Sequence, residues 1–315
     1  MTIKLAVTGA SGFVGRQLLA VAARERLEVI GIVRSEKSAA GISRYGARAS
    51  VVPRLEAEPL AAALAGAHAV VHLAMIGRER EGRTYEAVNV QGTRAVVEAA
   101  RRAGVPRVVL FSGLGVAHYG MTRRCTNPYF LSKLAAEVEL FRSGREAVVF
   151  RPSYIVGPGD GLVTRILAEM ASGEVLRVGD GRYRMHPAFV GDAAAAALAA
   201  AQDPPPGVAP PPRVLDLVGP EPVSFQSFLE RTAAAARAQG RKANFRIREV
   251  SVEEADRAAA AGGFRGMGTD ELDCLICDEV SDAAPLSHFL HRPLTSLDDA
   301  IAAAVREAPT KAASV

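Results

Sequence analysis

The segment VTGASGFVG, residues 7–15, follows an apolar run and opens a helical pattern, and it constrains the chain more than any other stretch. Its three glycines, Gly9, Gly12 and Gly15, stand three residues apart. In a strand-to-helix turn each has its own use: a tight turn at Gly9, close approach of backbone N–H groups to a pyrophosphate at Gly12, and helix-to-strand contact at Gly15. The spacing is G-x-x-G-x-x-G and not G-x-G-x-x-G, and a ligand-free turn is the plain alternative. The position directly after the first strand predicts dinucleotide binding.

The pattern around this loop is an alternation of short β-branched runs with longer helical stretches, the signature of βαβ units about a parallel sheet. Strands are expected at IKLAVTG, LEVIGIV, ASVV, AVVHLA, RVVLFSG and AVVFRP, with helices near 14–25, 57–65, 84–103 and 128–143. The strands are continuous apolar runs and not alternations, as strands covered on both faces require. The predicted fold class is α/β, a doubly wound parallel Rossmann sheet over residues 1–152. Residues 153–315 are expected to form mainly a smaller substrate-binding lobe, with segments returning to the core. The connector DPPPGVAPPP (203–212) suits neither helix nor strand interior.

Composition narrows the function classes. A chain of 315 residues can bury a sizeable core, and 38 Lys+Arg against 34 Asp+Glu leave a net charge of only +4. The basic residues are dispersed, which argues against a nucleic-acid partner. No run of 18 or more apolar residues is present and the chain enters a strand pattern at once, so a cytoplasmic protein without membrane association is expected. Three cysteines, Cys125, Cys274 and Cys277, fit a reducing compartment.

The end of the second strand bears on the choice of dinucleotide. An NAD site usually offers an acid there for the ribose 2′-hydroxyl, but VIGIVRSEKS gives Val33, then Arg34, with Lys37 close behind. Cations suit a 2′-phosphate and predict NADP(H), with NAD as the alternative; two solvated basic loop residues would look the same. Further on, NPYFLSK sets Tyr129 and Lys133 four residues apart, about one helical turn, so phenol and ammonium share a face. The pair alone does not distinguish an acid/base couple from an ordinary amphipathic helix.

Read in order, TGASGFVG, VVHLA, NVQGT, NPYFLSKLAAE, RPSYIVGPGD, HPAFVGDAA and VGPEPVSFQSFL resemble the extended short-chain dehydrogenase/reductases, the NAD-dependent epimerase/dehydratase-like family, over almost the whole chain. The tail CDEVSDAAPLSHFLHRPLTSLDDAI is similar to an atypical branch that includes an accessory subunit of respiratory complex I, some of whose members bind the nucleotide without known turnover. The resemblance implies that Tyr129 is the general acid/base and that Lys133 lowers its pKa, about 10 for a free phenol, and bonds the nicotinamide ribose. It implies a cofactor site of Gly9, Ser11, Gly12, Phe13, Val14 and Gly15, then Arg34, Lys37, Leu73 and Ala74, and finally Lys133, Pro152 and Ile155. The implied function is an NAD(P)-dependent oxidoreductase acting on a small organic substrate. The alternatives are a sugar-nucleotide epimerase/dehydratase with retained NAD and a non-catalytic NADP(H)-binding scaffold or sensor. Relatives often pair through helices near 84–103 and 128–143, so a homodimer is an expectation.

One departure stands out. The family usually carries a Ser or Thr after strand five to hold the substrate oxygen, and this chain has Leu114 there. Ser112 is the candidate substitute; on a strand it shares a face with Leu114, and otherwise Thr122 or a backbone N–H of Gly113–Gly115 takes the task. Cys274-x-x-Cys277 and His288-x-x-His291 mimic a zinc pair, but LDCLICDE reads as a strand that would point its cysteines apart, and no metal is assigned. Arg184 and His186 suit either a substrate contact or a structural loop. Asn89 suits either a helix N-cap or a site.

Overall fold

In the structure, a computed structural model, residues 3–118, 127–202, 213–264 and 267–309 are described. Cys125, Thr122 and the proline-rich connector lie outside them. The chain divides into two compact units. The first comprises Met1–Pro152, Gly191–Leu217 and Pro285–Arg292, and the second Ser153–Val190, Val218–Ala284 and Pro293–Val315.

The first unit is built on the apolar runs. β1 (Lys4–Thr8), β2 (Glu28–Val33), β3 (Arg48–Val51), β4 (Ala69–His72), β5 (Arg107–Phe111) and β6 (Glu146–Pro152) join Val214–Leu217 in a seven-stranded sheet. Every neighbour pairs in parallel, in the order Val214–Leu217, β6, β5, β4, β1, β2, β3. The order reverses between β1 and β4, where Thr8 is in register with His72. In an open α/β sheet that reversal opens the binding crevice at the carboxyl ends of the strands.

The helices follow from stripes and caps. α1 (Phe13–Arg24) buries Gly15, Leu18, Leu19 and Ala22, one face at helical spacing. α2 (Glu36–Ser43) was not expected from the sequence, because it buries only Ile42 and shows no stripe to read. It starts on a cap, the Ser35 hydroxyl accepting from the Ser38 N–H at 3.3 Å. α3 (Ala57–Leu64) lies where its pattern put it. The single helix expected over 84–103 is a π-helical turn, Glu86–Val90, that runs into α4 (Gln91–Arg102). α5 (Pro128–Arg142) has Pro128 in its first turn and Asn127 as N-cap, the side chain accepting from the N–H groups of Tyr129 and Phe130.

The second unit has no large sheet among its described residues. Its strands pair in twos: Ile155–Val156 with Ala188–Phe189, Arg184–Met185 with Val223–Ser224, and Glu174–Val178 with Arg246–Val250. Its core gathers Val163, Ile166, Met170, Phe228, Leu229, Ile301 and Val305. The stretch read as a strand, LDCLICDE, begins in a helix (Thr269–Leu275) and leaves it after Leu275 with no strand. The Gly268–Glu271 turn supplies its start, Glu271 accepting from the Gly268 N–H at 3.1 Å. The argument that a strand would point Cys274 and Cys277 apart therefore fails; among the described residues no cluster of three potential ligands is present.

Candidate functional site

The glycine loop takes its shape from close backbone approach. Gly9 sits at φ +69°, and a Cβ there would lie 2.9 Å from Ala74 N and Leu73 C, so only glycine fits. The Gly12 N–H donates to Gly9 O at 2.9 Å and Gly12 caps α1 with no side chain of its own. The first turn of α1 has no acidic residue, and the N–H groups of Phe13 and Val14 have no acceptor within their helix. A Cβ on Gly15 would overlap the backbone of Gly9 and Ala10. The loop thus presents positive backbone dipoles with room in front of them.

That room is a cleft of about 580 Å³ in the first unit. Gly9, Ser11 and Gly12 form one wall, Ile32 to Arg34 and Val52 to Glu56 another, Leu73 to Met75 the floor, and Gly82, Arg83, Ala87 and Val88 the remaining side. Of the residues expected at the cofactor, Gly9, Ser11, Gly12, Arg34, Leu73 and Ala74 line it together. Phe13, Val14 and Gly15 sit behind the wall in α1. Lys37 is an exposed residue of α2 outside the lining, Pro152 closes β6, and Ile155 pairs with Ala188 in the second unit. Arg54, Met75 and Arg83 were not foreseen, since they reach the cleft from loops after β3 and β4 that carry no motif.

Lys133, carried by α5, is not among the residues that line the cleft but reaches one of them, Met75. Its Nζ donates to Met75 Sδ at 2.8 Å and to Phe111 O at 3.2 Å, and lies 5.4 Å from the centre of the Tyr129 ring. Burial pulls its pKa down to about 7 against the opposing pull of Glu137. Glu137 is itself held by Arg151 through two bonds of 3.0 and 2.7 Å. Tyr129 stacks obliquely with Tyr85 and Phe130, ring centres 5.8 and 5.2 Å away. Its carbonyl accepts from the Ser132 hydroxyl, and Ser132 accepts from Asn89 Nδ2 at 2.9 Å.

Asn89 is not the N-cap of α4. It lies inside the π-helical turn and bonds both backbone groups of Ile76, accepting from the N–H at 2.8 Å and donating to the carbonyl at 3.0 Å. One amide thus ties the loop after β4 to the helix that carries Tyr129. Ser112 and Leu114 do not share a strand face, because β5 ends at Phe111 and Leu114, fully buried, opens a 3₁₀ turn. Ser112 donates its N–H to Phe150 O at 2.7 Å, and its buried Oγ has no hydrogen-bond partner.

Beneath the floor runs a buried polar chain. Ala74 N–H donates to Thr8 Oγ1 at 3.3 Å, Thr8 Oγ1 lies 2.7 Å from His72 Nδ1, His72 Nε2 lies 3.2 Å from Thr93 Oγ1, and Thr93 donates to Asn89 O at 2.6 Å. Thr93 spends its only proton on Asn89, so the network assigns the imidazole proton to Nε2 and makes Nδ1 the acceptor for Thr8. Burial, with Lys133 nearby, lowers the His72 pKa to about 3.

The second unit holds a separate buried group. The Ser153 hydroxyl donates to Glu279 Oε2 at 3.1 Å and accepts from the His186 N–H at 3.2 Å. Burial lifts the Glu279 pKa to about 7, and burial lowers that of His186, whose Nε2 has no partner. Arg184 is engaged by Asp278 through bonds of 3.0 and 2.9 Å.

Residues 5–213 match the NAD dependent epimerase/dehydratase family. The chain belongs to that family. Its curated relatives include reductases and epimerases of the extended short-chain dehydrogenase/reductase type, as the ordered motifs predicted. Among curated members, the chain is 30% identical to the ceramide reductase of Caulobacter vibrioides over 60% of its own length and 58% of the relative's. It is 31% identical to the N-acetyl-alpha-D-glucosaminyl-diphospho-ditrans,octacis-undecaprenol 4-epimerase of Escherichia coli O157:H7 over 61% of each. A ketoreductase of Stigmatella aurantiaca, for 4-hydroxy-2-methyl-3-oxo-4-farnesyl-3,4-dihydroquinoline-1-oxide, is 30% identical over 49% of this chain and 51% of its own. The chain thus spans about half to three fifths of the length of these relatives. Among solved members, the UDP-glucose 4-epimerase of Thermotoga maritima superposes with a TM-score of 0.73 at 17% identity, covering 97% of this chain and 98% of that one. The UDP-glucuronic acid 4-epimerase of Bacillus cereus, solved with UDP-glucuronic acid and NAD, gives 0.71 at 19% over 97% and 98%. These identities carry the family fold and no more. Among the described residues no helix is long and apolar enough to cross a membrane.

Proposed function

We propose that this chain is an NADP(H)-preferring oxidoreductase that moves a hydride between the nicotinamide and a hydroxyl or carbonyl carbon of a small organic substrate. The observation that carries the reading is the Lys133 ammonium, buried, bonded to Met75 of the cleft floor and 5.4 Å from the centre of the Tyr129 ring. The cleft fits a dinucleotide. The side-chain-free cap at Gly12 and the unclaimed N–H groups of Phe13 and Val14 suit a pyrophosphate, and Gly9 keeps the floor clear. Arg34, which has no ion-pair partner among the described residues, favours the 2′-phosphorylated form.

The nicotinamide, when bound, supplies or accepts the hydride. Tyr129 gives its phenolic proton to the substrate oxygen as a carbonyl is reduced and takes one back as an alcohol is oxidised. Lys133 favours the phenolate as a neighbouring cation. Ser112, whose buried hydroxyl has no other partner, donates to the substrate oxygen in place of the residue that Leu114 replaces. A second reading, with NAD retained through the cycle, is favoured by the 31% identical epimerase. Mixing the protein with NADPH or NADH and a panel of carbonyl compounds tests both: consumption of free NADPH supports the first reading. Interconversion of a sugar substrate with no net change in added cofactor supports the second. Bound dinucleotide with neither reaction leaves a binding protein without turnover.

A further inference from the structure

We infer that Arg83, carried on a tight turn after β4, joins Arg34 to form a subsite for the phosphomonoester at the 2′ position of the dinucleotide's adenosine ribose. The inference deepens the cofactor reading above and rests on it. Three of the four charged side chains that line the cleft are arginines, Arg34, Arg54 and Arg83, against the single carboxylate of Glu56, so the cleft is built for an anion. The pyrophosphate has its own cradle at Gly12 and the start of α1, which leaves the cations after β2 and β4 for a second anionic group.

Neither Arg34 nor Arg83 has an ion-pair or side-chain hydrogen-bond partner among the described residues. Other arginines of the same unit are engaged: Arg94 by Glu139, Arg151 by Glu137, Arg292 by Asp192. Burial lowers the pKa of Arg83, and the charges of Arg34 and Arg80 lower it further, so the three cations lie near enough to oppose one another. A dianionic phosphate relieves that repulsion and accepts from both guanidinium groups.

The position of Arg83 is set before any ligand arrives. Arg80 and Arg83 exchange backbone bonds, Arg80 N–H to Arg83 O at 3.1 Å and Arg83 N–H to Arg80 O at 2.8 Å, across Gly82 at φ +71°. Tyr85 pins the turn from behind, its N–H donating to Glu79 Oε1 at 2.6 Å and its hydroxyl to Gly77 O at 3.1 Å. Arg80 is exposed and does not line the cleft, which makes it a control for charge without contact.

The test is equilibrium titration of the full chain with NADPH, NADH, adenosine 2′,5′-bisphosphate and adenosine 5′-monophosphate at two salt concentrations, for wild type, Arg34→Ala, Arg83→Ala and Arg80→Ala. Arg83→Ala should weaken NADPH and the bisphosphate about tenfold or more and NADH and the monophosphate less than threefold, with a smaller difference at high salt. Arg80→Ala should change every ligand less than threefold. Equal weakening of phosphorylated and unphosphorylated ligands by Arg83→Ala, or no weakening, overturns the subsite while leaving the dinucleotide reading intact. A wild type that binds neither dinucleotide overturns the cofactor reading itself. Should Arg83→Ala not fold, Arg83→Gln carries the same expectations.

Discussion

Each unit holds a buried group whose pKa is driven toward neutral, and the two arrive there from opposite sides. In the first, Lys133 falls from the ordinary lysine value to about 7 because α5 carries its ammonium into the wall of the sheet. In the second, Glu279 rises from the ordinary carboxyl value to about 7 among short strands and loops. The surroundings differ in kind. Lys133 has the Tyr129 ring beside it and is bonded to Met75, a residue of the cleft lining. Glu279 has the Ser153 hydroxyl and a backbone bond from its N–H to Arg184 O at 2.8 Å, so its strain is held inside the unit. A displaced pKa therefore marks burial first and chemistry only where a cleft and a partner accompany it.

The largest effect expected from this contrast is on turnover. Tyr129→Phe should lower the rate of hydride transfer by about 10²- to 10⁴-fold while NADPH affinity stays within about threefold, because the phenol acts on the substrate oxygen. Steady-state rates and cofactor titrations check it, and turnover within about threefold of wild type would remove the first unit's claim to chemistry. Next comes Gly12→Val. A branched side chain in front of the α1 N-terminus should reduce dinucleotide binding by at least about a hundredfold with circular dichroism unchanged. Unaltered titration would reduce the loop to a turn.

The mirror itself is tested by pH. The Lys133 penalty is full below about pH 7, where the buried ammonium is charged, and fades as pH rises toward the unfolded lysine value. The Glu279 penalty is absent below the unfolded carboxyl value and full above about pH 7. Lys133→Met should thus stabilise the ligand-free protein most in acid, and Glu279→Gln most in alkali, each by of order 3 kcal/mol at its maximum. Thermal unfolding of both variants from pH 5 to 10 reads the slopes, and two slopes of the same sign would break the symmetry.

The smallest effect separates Ser112 from its neighbours. Ser112→Ala removes a buried hydroxyl that has no partner, so it should leave stability unchanged or raise it by up to about 1 kcal/mol while slowing turnover roughly tenfold. Loss of stability without loss of rate would make the hydroxyl structural.

The same contrast governs what could be read from the chain. The six expected strands of the first unit coincide with β1 to β6 within two residues because each is a continuous apolar run bounded by turn residues. α2 escaped because a cap at Ser35 and one buried Ile42 leave almost no periodic signal. In the second unit, strands of two residues carry no period at all, and a capped helix over Thr269–Leu275 passed for a strand because its apolar residues cluster. At the site, the glycine loop and Tyr129/Lys133 were legible because each is local in sequence. Met75, Arg83 and the Asn89 ties to Ile76 and Ser132 were not, since the order of strands and the fold of the β4 loop bring them together. An isolated His72 in an apolar run gives no hint that Thr8 and Thr93 receive it on either side.

That His72 chain has a consequence for wiring. From Ala74 through Thr8 to the imidazole, and from the imidazole through Thr93 to Asn89, each hydroxyl has one proton and already points it onward, away from a free end. A second proton on the ring would have to turn the Thr8 hydroxyl proton away from Nδ1 and break the bond it makes there, which adds to the burial and the Lys133 charge that keep the ring neutral down to about pH 3. The floor of the cleft is an insulator: it fixes the separation of β1 and β4 through side chains as well as backbone, and it offers protons no passage toward the sheet.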